Sequence, residues 1–312
     1  MLSNDSGGGR VLGRSGGRAV QITSASLVEI DYIAPPTSLS SYITTLYHFR
    51  CDEKDIRDIQ PAAIGHLTLF PYGEGEMHFG EGRCDPSHRV NLMTPLSVAA
   101  PFIVDGPFHA IGAVMSPLGW AALTGLHAAE HGDHLYRAAD WLGEEIEAIG
   151  QAACEDYRTG NKSAQECAAI LCDYIAANIK RVPVRHEELI KQTLAWLGSD
   201  LNPELDDLYG QLSYSERQSL RLIEQYFGMN PRALRRKYRA LRAVALLSLP
   251  QLTPEFEADV RDAFYDQPHM IKEIRLFAGR TPARLNDDES PYLMELLDQK
   301  NFREIDSLAP DD

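Results

Sequence analysis

The chain repeats itself. At an offset of 51 residues, Gly228-Met229-Asn230-Pro231 matches Gly279-Arg280-Thr281-Pro282, Ser215 matches Asp266, and Arg221 matches Lys272. A fixed internal period marks a duplicated structural unit. Ser215 and Asp266 are good N-caps for helices that end at the matched glycines. Each unit therefore reads helix, tight turn, helix: 203–209, 210–214 and 215–227 in the first, then a helix from Thr253 and Pro254 to about 263, a turn at Phe264-Tyr265, and a helix from Asp266 to about 278. A helix-turn-helix of this size places its second helix in a DNA major groove.

Helical periodicity sorts the residues of these second helices. Leu220, Leu222, Ile223, Tyr226 and Phe227 fall on one arc, and Arg217, Gln218, Arg221 and Gln225 on the opposite one. Arg reads guanine and Gln reads adenine in the major groove, and either can bind phosphate. In the second unit Met270, Ile274 and Phe277 face inward. Pro268, Lys272 and Arg275 face outward, with Gln267 and Ile271 on the edges. His269, on the same helix, is assigned to packing or to the phosphate side rather than to base reading.

A third helix, capped by Asn230 and opened by Pro231, runs to about 249 and joins the units. Its first half holds Arg232, Arg235, Arg236, Lys237, Arg239 and Arg242 and no acidic residue. Its position between two matched units points to phosphate contacts. A helix of about 18 residues spans roughly 27 Å, enough to set two recognition helices about one DNA turn, ~34 Å, apart.

The 312 residues suffice for about two domains. Residues 1–25 read as a disordered, Gly-rich tail and 26–145 as a β-rich domain of short apolar runs punctuated by Gly and Pro. Helical text at 146–185 is a linker or dimerisation region, 186–285 holds the double unit, and 286–312 is an acidic tail. The fold class is α+β, a β-rich sensor-like domain followed by an all-α domain. Within the β-rich part, the spacing of Leu39, Tyr42, Ile43, Leu46 and Tyr47 predicts one helix. Gly73-Glu74-Gly75 predicts a hairpin turn. Trp120, Trp141 and Trp196 are assigned to cores.

The net charge of −15 argues against nucleic acid until it is resolved by segment: −10 over 1–180, +2 over 181–285 and −7 over 286–312. The block carrying the repeat is slightly basic, so nonspecific DNA affinity is expected to be weak and salt-sensitive. The five cysteines contain no C-x-x-C pair and read as reduced cytoplasmic thiols. No apolar run reaches the ~20 residues of a membrane span.

The double unit resembles the DNA-binding domain of the AraC/XylS family of transcriptional regulators over about residues 186–285. Ser215-Glu216-Arg217-Gln218, Arg221, Phe227-Gly228 and Pro231 carry the likeness in the first unit. Phe264-Tyr265-Asp266-Gln267-Pro268-His269, Phe277, Gly279 and Thr281-Pro282 carry it in the second. Ser219, Ala263 and Asp259 depart from the family pattern. The resemblance implies base-facing roles for Arg217, Leu220 and Arg221, and for Gln267, Pro268, Ile271 and Lys272; Leu220 could touch a thymine methyl. Residues 30–143 are similar to the N-terminal domain of one AraC-like subgroup, through Pro35-Pro36, Leu39, Ile43, Gly106-Pro107 and Ser116-Pro117-Leu118-Gly119-Trp120. Such domains usually sense a ligand or mediate dimerisation.

The expected partners are a double-stranded DNA operator and an unidentified small-molecule effector, with RNA polymerase and a second copy of the chain as further candidates and no membrane. No catalytic residue, cofactor or metal is assigned. His127-Ala128-Ala129-Glu130-His131 fits the H-x-x-E-H zinc-peptidase pattern, but Gly125 and Gly132 bracket it to under two turns and no third ligand follows. His66, His78, His88 and His109 form no recognisable ligand set. Two alternatives stay open: a ligand-binding or metal-dependent enzyme on the N-terminal domain, and an interaction module that has lost DNA binding.

Overall fold

The computed structural model describes residues 28–247 and 254–281, with the side chains of 254–257 excepted. The expected N-terminal and acidic tails, Thr253 and Pro282 lie outside the described residues. A β-rich half is followed by an all-α half, which is the expected α+β order.

The first half is one eight-stranded antiparallel sheet: β1 (Val28–Ile33), β2 (Ile43–Cys51), β3 (Asp55–Gln60), β4 (His66–His78), β5 (Cys84–Pro86), β6 (Val90–Met93), β7 (Ala100–Met115) and β8 (Leu135–Arg137). The order is β1-β2-β7-β4-β6-β8, with β3 also on β7 and β5 also on β4. The long strand β7 organises it. β2 and β3 lie end to end along one edge of β7, while β4 runs along the other.

Two expectations fail here. The spacing of Leu39 to Tyr47 predicts a helix, yet Ile43–Cys51 is strand β2. Both faces of this strand are covered: Leu46 packs under helices, while Tyr47 and Phe49 line a cavity. Double coverage blurs the alternation that marks a half-exposed strand, and the β-branched and aromatic content then decides. Likewise, Gly73-Glu74-Gly75 is not a hairpin turn but part of β4, which stays paired to β7 on both sides through register shifts. Gly73 takes φ +87° there, a bulge conformation that other residues rarely adopt.

Side chains alternate across the sheet. Leu67, Leu69, Ile111 and Ala113 on one face share a core with α3 (Glu144–Arg158) and α4 (Ala164–Asn178). On the other face Phe49, Phe102, Val104, Phe108 and Ala110 surround the cavity. Between sheet and helices sit α1 (Pro117–Thr124) and the short α2 (Ala139–Leu142). Helix α1 belongs to both halves: Trp120 enters the sheet's core, while Leu118 and Ala122 enter the core of the second half. Trp120 and Trp196 are buried as expected. Trp141 is not; it is 40% exposed and packs edge-on against His131.

The second half comprises α5 (Val184–Ser199), α6 (Leu205–Gln211), α7 (Glu216–Phe227), α8 (Pro231–Leu247), α9 (Pro254–Asp262) and α10 (Gln267–Ala278). Among the described residues no helix is long and apolar enough to cross a membrane, and no group of three or more His, Cys, Asp or Glu is placed to hold a metal ion.

His66 makes the sheet sensitive to acid. Its ring is 5% exposed, and burial holds its pKa near 3, against 6.5 for an ordinary histidine. Below pH 6.5 the unfolded chain takes up a proton that the folded chain refuses. Stability from this residue is therefore full above pH 6.5 and falls by about 1.4 kcal/mol per unit as pH drops toward 3. Urea unfolding of wild type and His66→Gln should show the wild type losing about 2 kcal/mol more between pH 7.5 and pH 5.

Candidate nucleic-acid interface

The two helix-turn-helix units, α6–α7 and α9–α10, match in capping detail. Ser215 Oγ accepts from Gln218 N at 3.4 Å, and Asp266 Oδ1 accepts from His269 N at 2.7 Å. At the far ends Gly228 and Gly279 take φ +79° and +81° and donate to Glu224 O and Arg275 O, the left-handed cap that glycine permits. Every one of these pairs is 51 residues apart.

Exposure follows the predicted arcs. Arg217, Gln218, Leu220 and Arg221 are exposed on α7, as are Gln267, Pro268, Lys272 and Arg275 on α10; Ile271 is half-buried. Gln218 is partly occupied, because its Oε1 accepts from Ser215 Oγ at 3.0 Å and, closing the capping box, from Ser215 N at 3.4 Å. Arg217, Arg221, Lys272 and Arg275 form no ion pair with any described residue. Leu220, assigned to the apolar arc by periodicity, is 38% exposed and stands with the outward residues.

The basic helix α8 is a different object from the one expected. Arg235 donates to Pro203 O at 3.0 Å, and Lys237 to Ala63 O and Leu96 O at 3.1 and 2.9 Å. Arg242 donates to Leu197 O at 3.2 Å and also to Asp200 O. Arg236 and Arg239 converge on Glu273. Of the six basic residues only Arg232 is exposed. The run of positive charge is chiefly internal bonding, since α8 packs against both α7 and α10 and its long side chains must reach across them to polar groups.

Glu273 is the residue that sequence reasoning missed. Its position matches Leu222 of the first unit, and it is 0% exposed. Oε1 accepts from Arg236 Nε at 2.5 Å, and Oε2 from Arg239 Nη2 at 2.7 Å. His269 Nε2 lies 3.3 Å from Oε1, which places His269 on the packing side. Arg239 also donates to Asn202 Oδ1 and Ala263 O and lies over the Phe264 ring. One signal for this network was legible: an acid between Met270 and Ile274 on an apolar arc, facing a helix stretch with no acid of its own.

The β-rich half grips the C-terminal ends of α7 and α10. Ala128, in the turn that carries the H-x-x-E-H pattern, donates from its backbone to Gln225 O at 2.8 Å. At α10, Ala62 N donates to Phe277 O and Ala99 N to Leu276 O, at 2.8 and 3.0 Å. Just beyond, Arg280 forms a buried ion pair with Asp58 of β3. Burial pushes the Asp58 carboxyl up from its ordinary value, and the Arg280 guanidinium pulls it back. Gly279 sits so close to Ile59 that a Cβ would lie 2.3 Å from its Cγ2. Both α7 and α10 are thus anchored at their C-terminal ends by the other half of the molecule, and their exposed polar arcs start at the N-terminal ends.

What the fold defines is a β-sheet domain joined to a double helix-turn-helix domain. No family model matches the chain, and no curated protein matches it. Among solved structures it is similar to ToxT from Vibrio cholerae O395, at 9% identity over 86% of this chain and 98% of that one, with a TM-score of 0.45. ToxT bound to (E)-4-(8-methylnaphthalen-1-yl)but-3-enoic acid gives 10% identity, 87% and 100% coverage and a TM-score of 0.45. The AraC-like transcriptional activator CuxR gives 14% identity, 70% and 87% coverage and a TM-score of 0.32.

Two substitutions probe this construction. Glu273→Ala strands Arg239 in a site it cannot leave and should destabilise the protein by about 3–5 kcal/mol in denaturant titration. Ser219 is fully buried with its hydroxyl unpartnered among the described residues. Ser219→Ala removes that group and should raise stability by about 1 kcal/mol.

Proposed function

We propose that this chain is a sequence-specific DNA-binding transcriptional regulator of the AraC type, whose α7 and α10 enter adjacent major grooves of a double-stranded operator. The observation that carries this reading is the duplication of one geometry. Two helices, 51 residues apart, are fixed at their C-terminal ends and expose polar arcs that start at their N-terminal ends, with Arg275 in the last turn of α10. The N-terminal part of a recognition helix is what reaches base edges. Arg217, Arg221, Lys272 and Arg275 supply donors for guanine and phosphate, Gln267 suits adenine, and Pro268, Ile271 and the exposed Leu220 offer apolar contact to thymine methyls. Gln218 retains its amide donors although its oxygen is engaged.

One chain carries both helices, so a single copy can span two grooves; a second copy and RNA polymerase remain proposed partners, in a cytoplasmic setting. The β-rich half is the proposed effector-sensing domain. Its β3 strand holds Arg280 through Asp58, and Ala62 and Ala99, beside β3 and β7, hold the last turn of α10, which gives an effector in the sheet a short mechanical route to the second recognition helix.

Selection of bound duplexes from a random pool, followed by fluorescence anisotropy on the selected site, tests the reading. Arg221→Ala and Lys272→Ala should each weaken binding to the selected site by about 1–3 kcal/mol if they contact bases. Arg232→Ala should weaken all duplexes alike and lower the salt slope by about 1. Failure to enrich any sequence, or variants that bind like wild type, would overturn it.

A further inference from the structure

The inner face of the sheet holds a partly open cavity of about 70 Å³. Its walls are apolar, built chiefly from Phe49, Phe70, Met77, Phe102, Phe108 and Ala110. Into this surface project three polar side chains, Tyr47 of β2 and His66 and Thr68 of β4, which meet across Gly112 of the intervening strand β7. The Tyr47 hydroxyl lies 3.3 Å from Thr68 Oγ1 and 3.5 Å from His66 Nδ1. Both are long for hydrogen bonds involving a hydroxyl. Among the described residues nothing hydrogen-bonds the other ring nitrogen of His66, although the residue is 95% buried, being 5% exposed. Three loosely satisfied polar groups in an apolar wall are what fixes the orientation of a small ligand.

The charges decide which ligand. No lysine or arginine lines the cavity. Burial keeps His66 neutral at physiological pH and pushes Tyr47 up to about 12, so neither offers a charge. The one ionisable carboxylate in the lining, Glu76, is 44% exposed. An anion would lose its hydration and meet no cation, which is costly. A cation would find no buried carboxylate. The other polar liners are engaged: Ser87 Oγ accepts from Gly75 N at 2.8 Å, and Gln60 donates to Pro61 O.

We infer that this cavity binds a small uncharged, mainly apolar molecule that presents one hydroxyl or carbonyl to Tyr47, His66 and Thr68. Its volume is about half of the ~150 Å³ that admits benzene in an engineered apolar cavity. That admits about three non-hydrogen atoms, and about five where the pliable Met77 and Met93 side chains turn aside. The role of such a molecule as effector rests on the DNA-binding reading above; its binding does not.

The test uses the full chain without DNA and three probes of equal size: 2-butanone, 1-butanol and propionate at pH 7.4. Methyl signals of Met77 and Met93 in NMR titrations report occupancy. Both neutral probes should shift these signals saturably, and propionate should bind at least tenfold more weakly. Ala110→Leu, which fills the cavity, should abolish the shifts. Thr68→Val, which keeps the shape and removes a hydroxyl, should weaken 1-butanol several-fold. Propionate binding as tightly as 2-butanone, no response to either neutral probe, or unchanged titrations in a folded Ala110→Leu or Thr68→Val variant would overturn the inference. Because no DNA is present, these outcomes are separate from success or failure in duplex selection.

Discussion

The all-α half depends on one buried carboxylate. Glu273 has no exposure to water, and two guanidinium groups of α8 close on its two oxygens. A carboxylate in such a site is tolerable only when paired and fully hydrogen-bonded, and removing either partner leaves an isolated charge behind. The pairing therefore fixes α10 on α8 in one register. It also engages Arg236 and Arg239, so that the basic side chains of α8 chiefly tie the half together. Arg232 and the basic residues of α7 and α10 stay exposed.

The same economy holds at the junction between the halves. Helix α1 contributes Trp120 to one core and Leu118 and Ala122 to the other. Lys237 reaches from α8 to two carbonyls of the β-rich half, and Asp58 receives Arg280 from beyond α10. These buried polar contacts are costly to separate. They leave the N-terminal ends of α7 and α10 exposed. The outer face of the sheet is occupied as well, since α3 and α4 share its core.

Much of the helical half was legible from residues. The caps Ser215, Asp266, Gly228 and Gly279 have strong local preferences and stand at one fixed offset, so the limits of α7 and α10 followed directly, whereas the leading helix, read as 203–209, is Leu205–Gln211 because no such cap fixes it. Exposure of Arg217, Arg221, Lys272 and Arg275 followed from 3.6-residue periodicity. The β-rich half was harder. In β2, burial on both faces produced a spacing that imitates a helix. In β4, pairing along the whole of β7 carried the strand straight through Gly73, where local composition indicated a turn. Trp141 was assigned to a core by residue type, yet it stands partly in water against His131.

What the sequence determined by itself was the duplicated helix-turn-helix, the capped limits of its second helices and, Leu220 apart, their outward arcs, because capping and helical periodicity are local and act within a few residues. Tertiary structure alone decided the fate of the charges and the shape of the cavity. Whether an arginine of α8 meets water or Glu273 depends on a helix more than thirty residues away, and whether His66 is neutral depends on the strands that bury it. Those are long-range packing and desolvation effects, and no local pattern encodes them.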